Sequence, residues 1–325
     1  MQTNVMKYAP KRLAWGAAAM AILFSQITIA QQKIDQTLDT TSSPVVEMEH
    51  VQGKADIKTW DKNQVRITGT LGSLTEEFTF EKRGNTVVID VEVKDNHYRW
   101  EDKEEAKDDL TVYVPAGSKL AYETLNSDVK VDGLQGGTSI EVVNGDIEGV
   151  NLAGRVNVES VNGNVELRNI TGALTVESVN GDIDAEHNSD AALAIESVNG
   201  KITLQSNSSD VSIETVNGNT NVVLGTVNRL AMASVNGDAN VSLALNSGAD
   251  VGVETVGGSI TLSFTNDVSA RFDIEAHAGG KIVNKLNGTD VNKAKYGPGQ
   301  WLEFTEGSGD ARVRISTVNG RITVE

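Results

Sequence analysis

Glutamates stand at near-regular intervals through the middle of this chain, at Glu141, Glu159, Glu177, Glu196 and Glu214. Glu123 precedes them and Glu254 follows, with Ala233 interrupting the series. Repeated carboxylates are hard oxygen donors of the kind that bind Ca²⁺ or Mg²⁺. If stacked one strand spacing apart, about 4.8 Å, neighbours repel by about 1 kcal/mol even in water, and cations between them would relieve that cost. The alternative is a solvated face that keeps the protein soluble. Neither reading requires a firmly bound cofactor; Ca²⁺ is the candidate the column raises.

Other residue types offer less chemistry. Asn144-Gly145-Asp146, Asn180-Gly181-Asp182 and Asn236-Gly237-Asp238 invite comparison with calcium-binding nonapeptide rolls. That motif repeats twice as often, and its Asp is regular, whereas Asn164, Lys201 and Asn219 occupy the equivalent place here. A turn-forming role is expected instead. His50, His97, His187 and His277 are far apart and lack the spacing of a zinc site or a triad. Ser160, Ser178, Ser197, Thr215 and Ser234 form a column with no base nearby, which reads as a set of corner hydrogen-bonders. Residues 100–109 hold six acids, Glu101, Asp102, Glu104, Glu105, Asp108 and Asp109, as expected of a solvated loop or a basic partner's site. Carboxylates are so abundant that a neighbouring pair says little about glycoside chemistry.

The elements that position these residues are copies of one repeat. Asn144, Asn162, Asn180, Asn199, Asn217 and Asn236, each followed by a glycine (Gly145, Gly163, Gly181, Gly200, Gly218, Gly237), recur at steps of 18, 18, 19, 18 and 19 residues. Val51-Gln52-Gly53 reads as a degenerate opening copy, and Val318-Asn319-Gly320 closes the chain. Both flanks alternate apolar with polar, as in Val156, Val158 and Val165, Leu167, which is the period of a strand with one buried face. Each repeat is thus two short strands around an Asn-Gly corner, followed by a looser turn.

Asn-Gly between alternating strands is also a hairpin signal, so an antiparallel meander is the rival architecture. A meander gives no reason for each column to keep its residue type from repeat to repeat. Stacking each repeat directly on its copy does. The expected fold is therefore all-β, a parallel β-solenoid of 18–19-residue two-strand rungs with irregular terminal coils. In it the corner glycines sit at positive φ, and the Asn amides form a ladder along the axis. Residues 31–325 read as one domain: irregular N-terminal coils over 31–118, regular repeats over 119–265 and C-terminal coils over 266–325.

Composition narrows the function classes. The chain has 325 residues, a formal charge of −17 and no Cys, which removes thiol catalysis, disulfides and Cys-ligated zinc. Residues 1–30 hold three basic and no acidic residues, so the remainder carries 25 basic against 45 acidic, or −20. Nucleic-acid binding is not expected of such a surface. Lys7, Lys11 and Arg12, an apolar run over 13–24, and Thr28 and Ala30 before a cleavage point describe a secretory signal peptide over 1–30; an uncleaved anchor is the alternative. No later stretch is apolar enough to span a membrane, and the mature protein is expected to be periplasmic or extracellular.

The Val-Asn-Gly-Asp-Ile rungs, led by the run from Leu110 to Gly117, resemble the bacterial putative-adhesin family of exported β-strand-repeat proteins. The closing Ile315-Ser316-Thr317-Val318-Asn319-Gly320-Arg321-Ile322 matches that family's usual ending. The resemblance runs from Val45 to Glu325. It implies a β-solenoid envelope protein of unestablished molecular function, and it brings no catalytic residues. The function expected is a non-enzymatic envelope scaffold or adhesin that meets an envelope protein or glycan. The alternatives are a solenoid enzyme acting on polysaccharide and a divalent-cation-binding envelope protein.

Overall fold

The computed structural model describes residues 32–93 and 107–325, within the compact unit Gln31–Glu325. The segment read as a signal peptide, His97, and Glu101, Asp102, Glu104 and Glu105 lie outside the described residues. All the regular elements described are strands, and none of them is a helix.

Register decides between solenoid and meander. Val156–Asn162 pairs parallel with Leu174–Asn180, setting Asn162 opposite Asn180 and Glu159 opposite Glu177. Leu174–Asn180 repeats this on Leu193–Asn199, and Leu193–Asn199 on Asp210–Asn217. A hairpin across Asn-Gly would have made these pairs antiparallel. Beyond each corner a second set stacks the same way, Val165–Ile170 on Ile183–His187 on Ile202–Ser206. The fold is a parallel β-solenoid whose rungs carry two main strands.

Two inward columns fill the space between the faces. Val158, Val176, Ile195, Ile213, Met232 and Val253 are no more than 3% exposed, and Val165, Ile183, Ile202 and Ile260 approach them from the opposite face. Leu134, Leu152 and Ile170 plug the looser turn from within, and all three are fully buried. Like packs on like because each rung repeats the one beneath it, so β-branched side chains meet at one strand spacing, about 4.8 Å.

The corner needs glycine for two reasons. Gly145, Gly163, Gly181, Gly200, Gly218 and Gly237 have φ between 139° and 153°. A Cβ on Gly181 would also lie 2.0 Å from Gly163 O of the rung below. Strain and collision therefore exclude a side chain at these six corners, whereas Ser127 takes the equivalent place of its rung without a positive φ.

At both ends, chain order and stacking order part company. Val45–Trp60 is the first full rung: it pairs with Lys119–Asp132 across both faces, with Gln52 opposite Asn126 and Gly53 opposite Ser127. The strands Gln64–Leu71, Thr75–Arg83, Thr86–Val93 and Asp108–Pro115 lie beyond that rung on its outer side. Thr86–Val93 and Asp108–Pro115 continue the two faces in parallel. Thr75–Arg83, Gln64–Leu71 and Gln32–Asp39 then close them antiparallel. At the other end Ala311–Asn319 docks directly on Ala239–Gly257, with Asn319 opposite Gly257. Ala270–Ala276, which comes earlier in the chain, stacks outside it and is capped antiparallel by Gln300–Glu306. The last segment fits the regular columns, so it takes the inner place, and the irregular one shields the open edge.

Candidate functional site

Alternation along Leu174–Asn180 turns Val176 and Ser178 inward and Thr175, Glu177 and Val179 outward. Parallel register then converts each outward residue into a column. The glutamate column runs Glu49, Glu123, Glu141, Glu159, Glu177, Glu196 and Glu214, each directly opposite the next. Asp90 extends it beyond Glu49, and Glu254 resumes it after Ala233. Sequence reasoning missed Glu49 and Asp90. Glu49 stands three residues before Gln52 of the degenerate opening copy, so the offset was there to be read; Asp90 belongs to a strand outside the repeat register.

Burial and mutual repulsion act together on this column. Glu141 is held above the usual carboxylate range, first by partial desolvation and then by Glu159 and Glu123. Glu196 is raised by desolvation and by Glu177 and Glu214. Glu49 and Asp90 are raised in the same order of causes, desolvation before neighbouring carboxylates. On the opposite outer face charges are compensated: Lys130 pairs with Glu148, and Arg168 with Asp184 at 3.0 Å. Among the described residues, no ion pair involves the stretch of column from Glu123 to Glu254. Among the described residues, no group of three or more His, Asp or Glu converges so as to hold a metal ion.

Beside the glutamates runs an apolar column. Val161, Val179, Val198 and Val216 are each 40% exposed, and Val235 and Val256 slightly more. Next to it the corner amides form the ladder: Asn162 Nδ2 donates to Asn144 Oδ1 at 2.9 Å, Asn180 to Asn162 at 3.0 Å, and Asn199 to Asn180 at 2.9 Å. One residue past the glycine a second ladder explains the Asn-Gly-Asp motif. Asp146 Oδ1 accepts from Asn164 N at 2.8 Å, and Asp182 Oδ1 accepts from Lys201 N at 2.8 Å. These side chains tie rung to rung through backbone N–H groups, which is the turn-forming role.

The histidines divide by burial. His50 Nε2 lies 3.1 Å from Asp108 Oδ2, while Tyr122 OH and Ser127 Oγ both lie 3.1 Å from its Nδ1. Residue types and contacts imitate a Ser-His-Asp relay, yet His50, Asp108 and Ser127 are no more than 2% exposed. No substrate reaches them, so the cluster is a polar knot within the core. Burial pushes the Tyr122 hydroxyl above its ordinary range. Sequence reasoning left His50 isolated because its partners are 58 to 77 residues away. His187 is likewise sealed, bonded to Ser206 Oγ at 3.0 Å and to Gly172 O at 2.7 Å. His277 is exposed and pairs with Glu275 at 3.1 Å.

The Toastrack DUF4097 family model matches residues 46–325, nearly the whole of the described solenoid. The chain belongs to that family. No curated protein matches the sequence. Among solved structures, this Toastrack chain aligns with a putative cell adhesion protein from Clostridium sporogenes at 10% identity and a TM-score of 0.22, over 90% of this chain and 98% of the other. It also aligns with a putative adhesin from Bacteroides fragilis at 14% identity and a TM-score of 0.36, over 92% of this chain and 100% of the other.

One expectation for this Toastrack chain needs correcting. Of the inward hydroxyl column, Ser160 Oγ reaches Gly163 O at 3.5 Å and Thr255 Oγ1 reaches Gly258 O at 3.1 Å. Ser178, Ser197, Thr215 and Ser234 are buried without a hydrogen-bond partner among the described residues. Ser160 meets its corner carbonyl at the outer limit of a hydrogen bond, and the next four rungs, before Thr255, fall outside it. These four hydroxyls pack at the corner rather than bond there. The acidic segment is represented among the described residues by Asp108 and Asp109; Asp108 belongs to the core knot, not to a solvated loop.

Proposed function

We propose that this Toastrack protein is an exported, non-enzymatic binding scaffold of the cell envelope, and that its outer glutamate face is the surface that meets an envelope partner, glycan or protein. The observation that carries this reading is the in-register column from Glu123 to Glu214, paired with no cation among the described residues, beside the exposed valines. Such a face presents acceptors and apolar contact at one repeated spacing, which suits a repetitive or cationic partner. Against an enzymatic reading, the one Ser-His-Asp grouping among the described residues, Ser127-His50-Asp108, is closed to solvent. Residues 1–30 supply the export signal in this reading, and the resemblance to envelope β-repeat proteins agrees with it.

Two measurements test the proposal. Fractionation with surface proteolysis should place the protein outside the cytoplasm, and deleting residues 1–30 should retain it inside. Purified protein should co-sediment with isolated envelopes, and the variant carrying Glu141→Gln, Glu159→Gln, Glu177→Gln and Glu196→Gln should do so far less. Cytoplasmic wild-type protein, or undiminished sedimentation of the variant, would overturn it.

A further inference from the structure

Between Asp90 and Glu254 the acidic column has one break. Where the column reaches the strand Thr220–Asn236, Ala233 takes the glutamate position between Glu214 and Glu254, and Ala231 stands two residues before it on the same face. On the following rung Gly252 lies opposite Ala231. These three positions form the floor of a depression of about 440 Å³, walled by Glu214, Glu254, Arg229 and the Asp250–Arg314 pair. That volume falls within the range of small-ligand sites.

The fold does not demand this bare floor. A Cβ on Gly252 would find its nearest neighbour, Leu230 O, only at 4.0 Å, unlike the corner glycines whose Cβ would strike backbone. Ala233 occupies a position where Glu159, Glu177, Glu196 and Glu214 are accommodated by the same backbone. Glycine within a strand weakens it, and on this open face it leaves room for another group to approach the backbone closely.

The walls state what would fit. Glu214 and Glu254 face each other across two ladder spacings, about 9.6 Å between Cα atoms. Neither has an ion-pair partner among the described residues, and Arg229 has none either. Asp250 is already occupied by Arg314 at 3.0 Å. The free groups are thus two carboxylates on opposite sides and one guanidinium on a third, above a floor of methyl and methylene groups bordered by Ser212. A pyranose has the matching form: C–H groups on its face to lie on the floor, and hydroxyls around its edge for the carboxylates to accept from and the guanidinium to donate to. The excess of free negative charge favours an ammonium substituent on that ring.

We infer that this depression is a carbohydrate subsite for one amine-bearing hexopyranose, an amino-sugar unit of a glycan. It rests on the scaffold reading above and names the chemistry of the partner.

The test uses calorimetric titration of the purified protein with a β-1,4-linked glucosamine trisaccharide. Its fully N-acetylated counterpart and trilysine serve as comparison probes. Ala233→Glu restores the residue type of neighbouring rungs and fills the floor; Gly252→Ser fills it from the next rung without changing charge. The glucosamine trimer should bind the parent protein, and each variant, with melting temperature near that of the parent, should bind at least about tenfold more weakly. Non-specific attraction to an acidic protein makes the opposite forecast, because Ala233→Glu adds a negative charge and would tighten binding. Unchanged or tighter binding by Ala233→Glu overturns the subsite. Trilysine binding as tightly, with the same loss in both variants, assigns the depression to a basic peptide and overturns the sugar. Equal binding of the N-acetylated trimer overturns the amine requirement. If trimer binding fails while envelope sedimentation still depends on Glu141 to Glu196, this inference falls and the scaffold reading stands.

Discussion

His50 Nε2 sits 3.1 Å from Asp108 Oδ2 with both side chains closed to solvent, joining the first full rung to the strand stacked outside it. The other Asp108 oxygen accepts from Gly72 N at 2.6 Å and Thr75 Oγ1 at 2.9 Å, so one carboxylate also anchors the turn that opens the terminal antiparallel strands. Replacing Asp108 with Ala strands His50, the Gly72 N–H and the Thr75 hydroxyl together. The expected loss is about 3 kcal/mol in chemical denaturation. A loss below about 1 kcal/mol would show that the knot does not tie the end to the stack.

The corner glycine and an exposed strand residue should respond very differently to the same new side chain. Gly181→Val forces a Cβ to within 2.0 Å of Gly163 O at a φ of 142°. Asp184→Val, on the outer surface, forfeits only its bond to Arg168. The first should cost about 3 kcal/mol or more and the second under about 1 kcal/mol. Equal melting shifts would contradict the corner geometry.

Stability should depend on pH through the glutamate column, with a definite sign. Glu49, Glu141 and Glu196 have folded-state pKa values above the ordinary one of 4.5. The folded state therefore binds more protons than the unfolded state between the ordinary and the raised values, and stability falls as pH rises through that window. The destabilisation is fully present above the raised values and absent below the ordinary one. Converting Glu141 and Glu196 to Gln should flatten this part of the profile and raise the melting temperature at neutral pH. Paired carboxylates such as Asp35 with Arg66 have the opposite sign and define the acid limb at lower pH.

Calcium separates the two readings of the column. Without a convergent donor set among the described residues, CaCl₂ should raise the melting temperature no more than NaCl at matched ionic strength, since both only screen the repulsion. A larger rise with calcium, abolished by Glu159→Gln with Glu177→Gln, would establish a cation ladder, because a ligand of the folded state stabilises it by mass action.

The regular part of this architecture was legible because it is local and repeated. Asn-Gly at steps of 18 or 19 residues, with apolar residues at fixed offsets, specifies rung length, corner and facing. Once one rung is placed on its copy, the outward direction of Glu159 and the inward direction of Val158 follow from alternation alone. Even the opening copy at Gln52 was readable, since it keeps the offset of its partner Asn126.

Three features depended on folding. The contacts of His50 with Asp108, Tyr122 and Ser127 unite segments far apart in the chain, and no local pattern announces a pair made only by stacking. The order of the terminal rungs was hidden because Ala311–Asn319 competes with Ala270–Ala276 for the open edge, and the better column match wins the inner place. The depression at Ala233 was visible as an interruption of the glutamate series, but its floor needs Gly252, which adjoins it only across the ladder. Sequence alone determined what recurs within one rung, because backbone period and corner strain act over a few residues. Tertiary structure decided what meets across rungs and at the ends, because those contacts are selected by burial and edge closure among segments that sequence distance leaves unrelated.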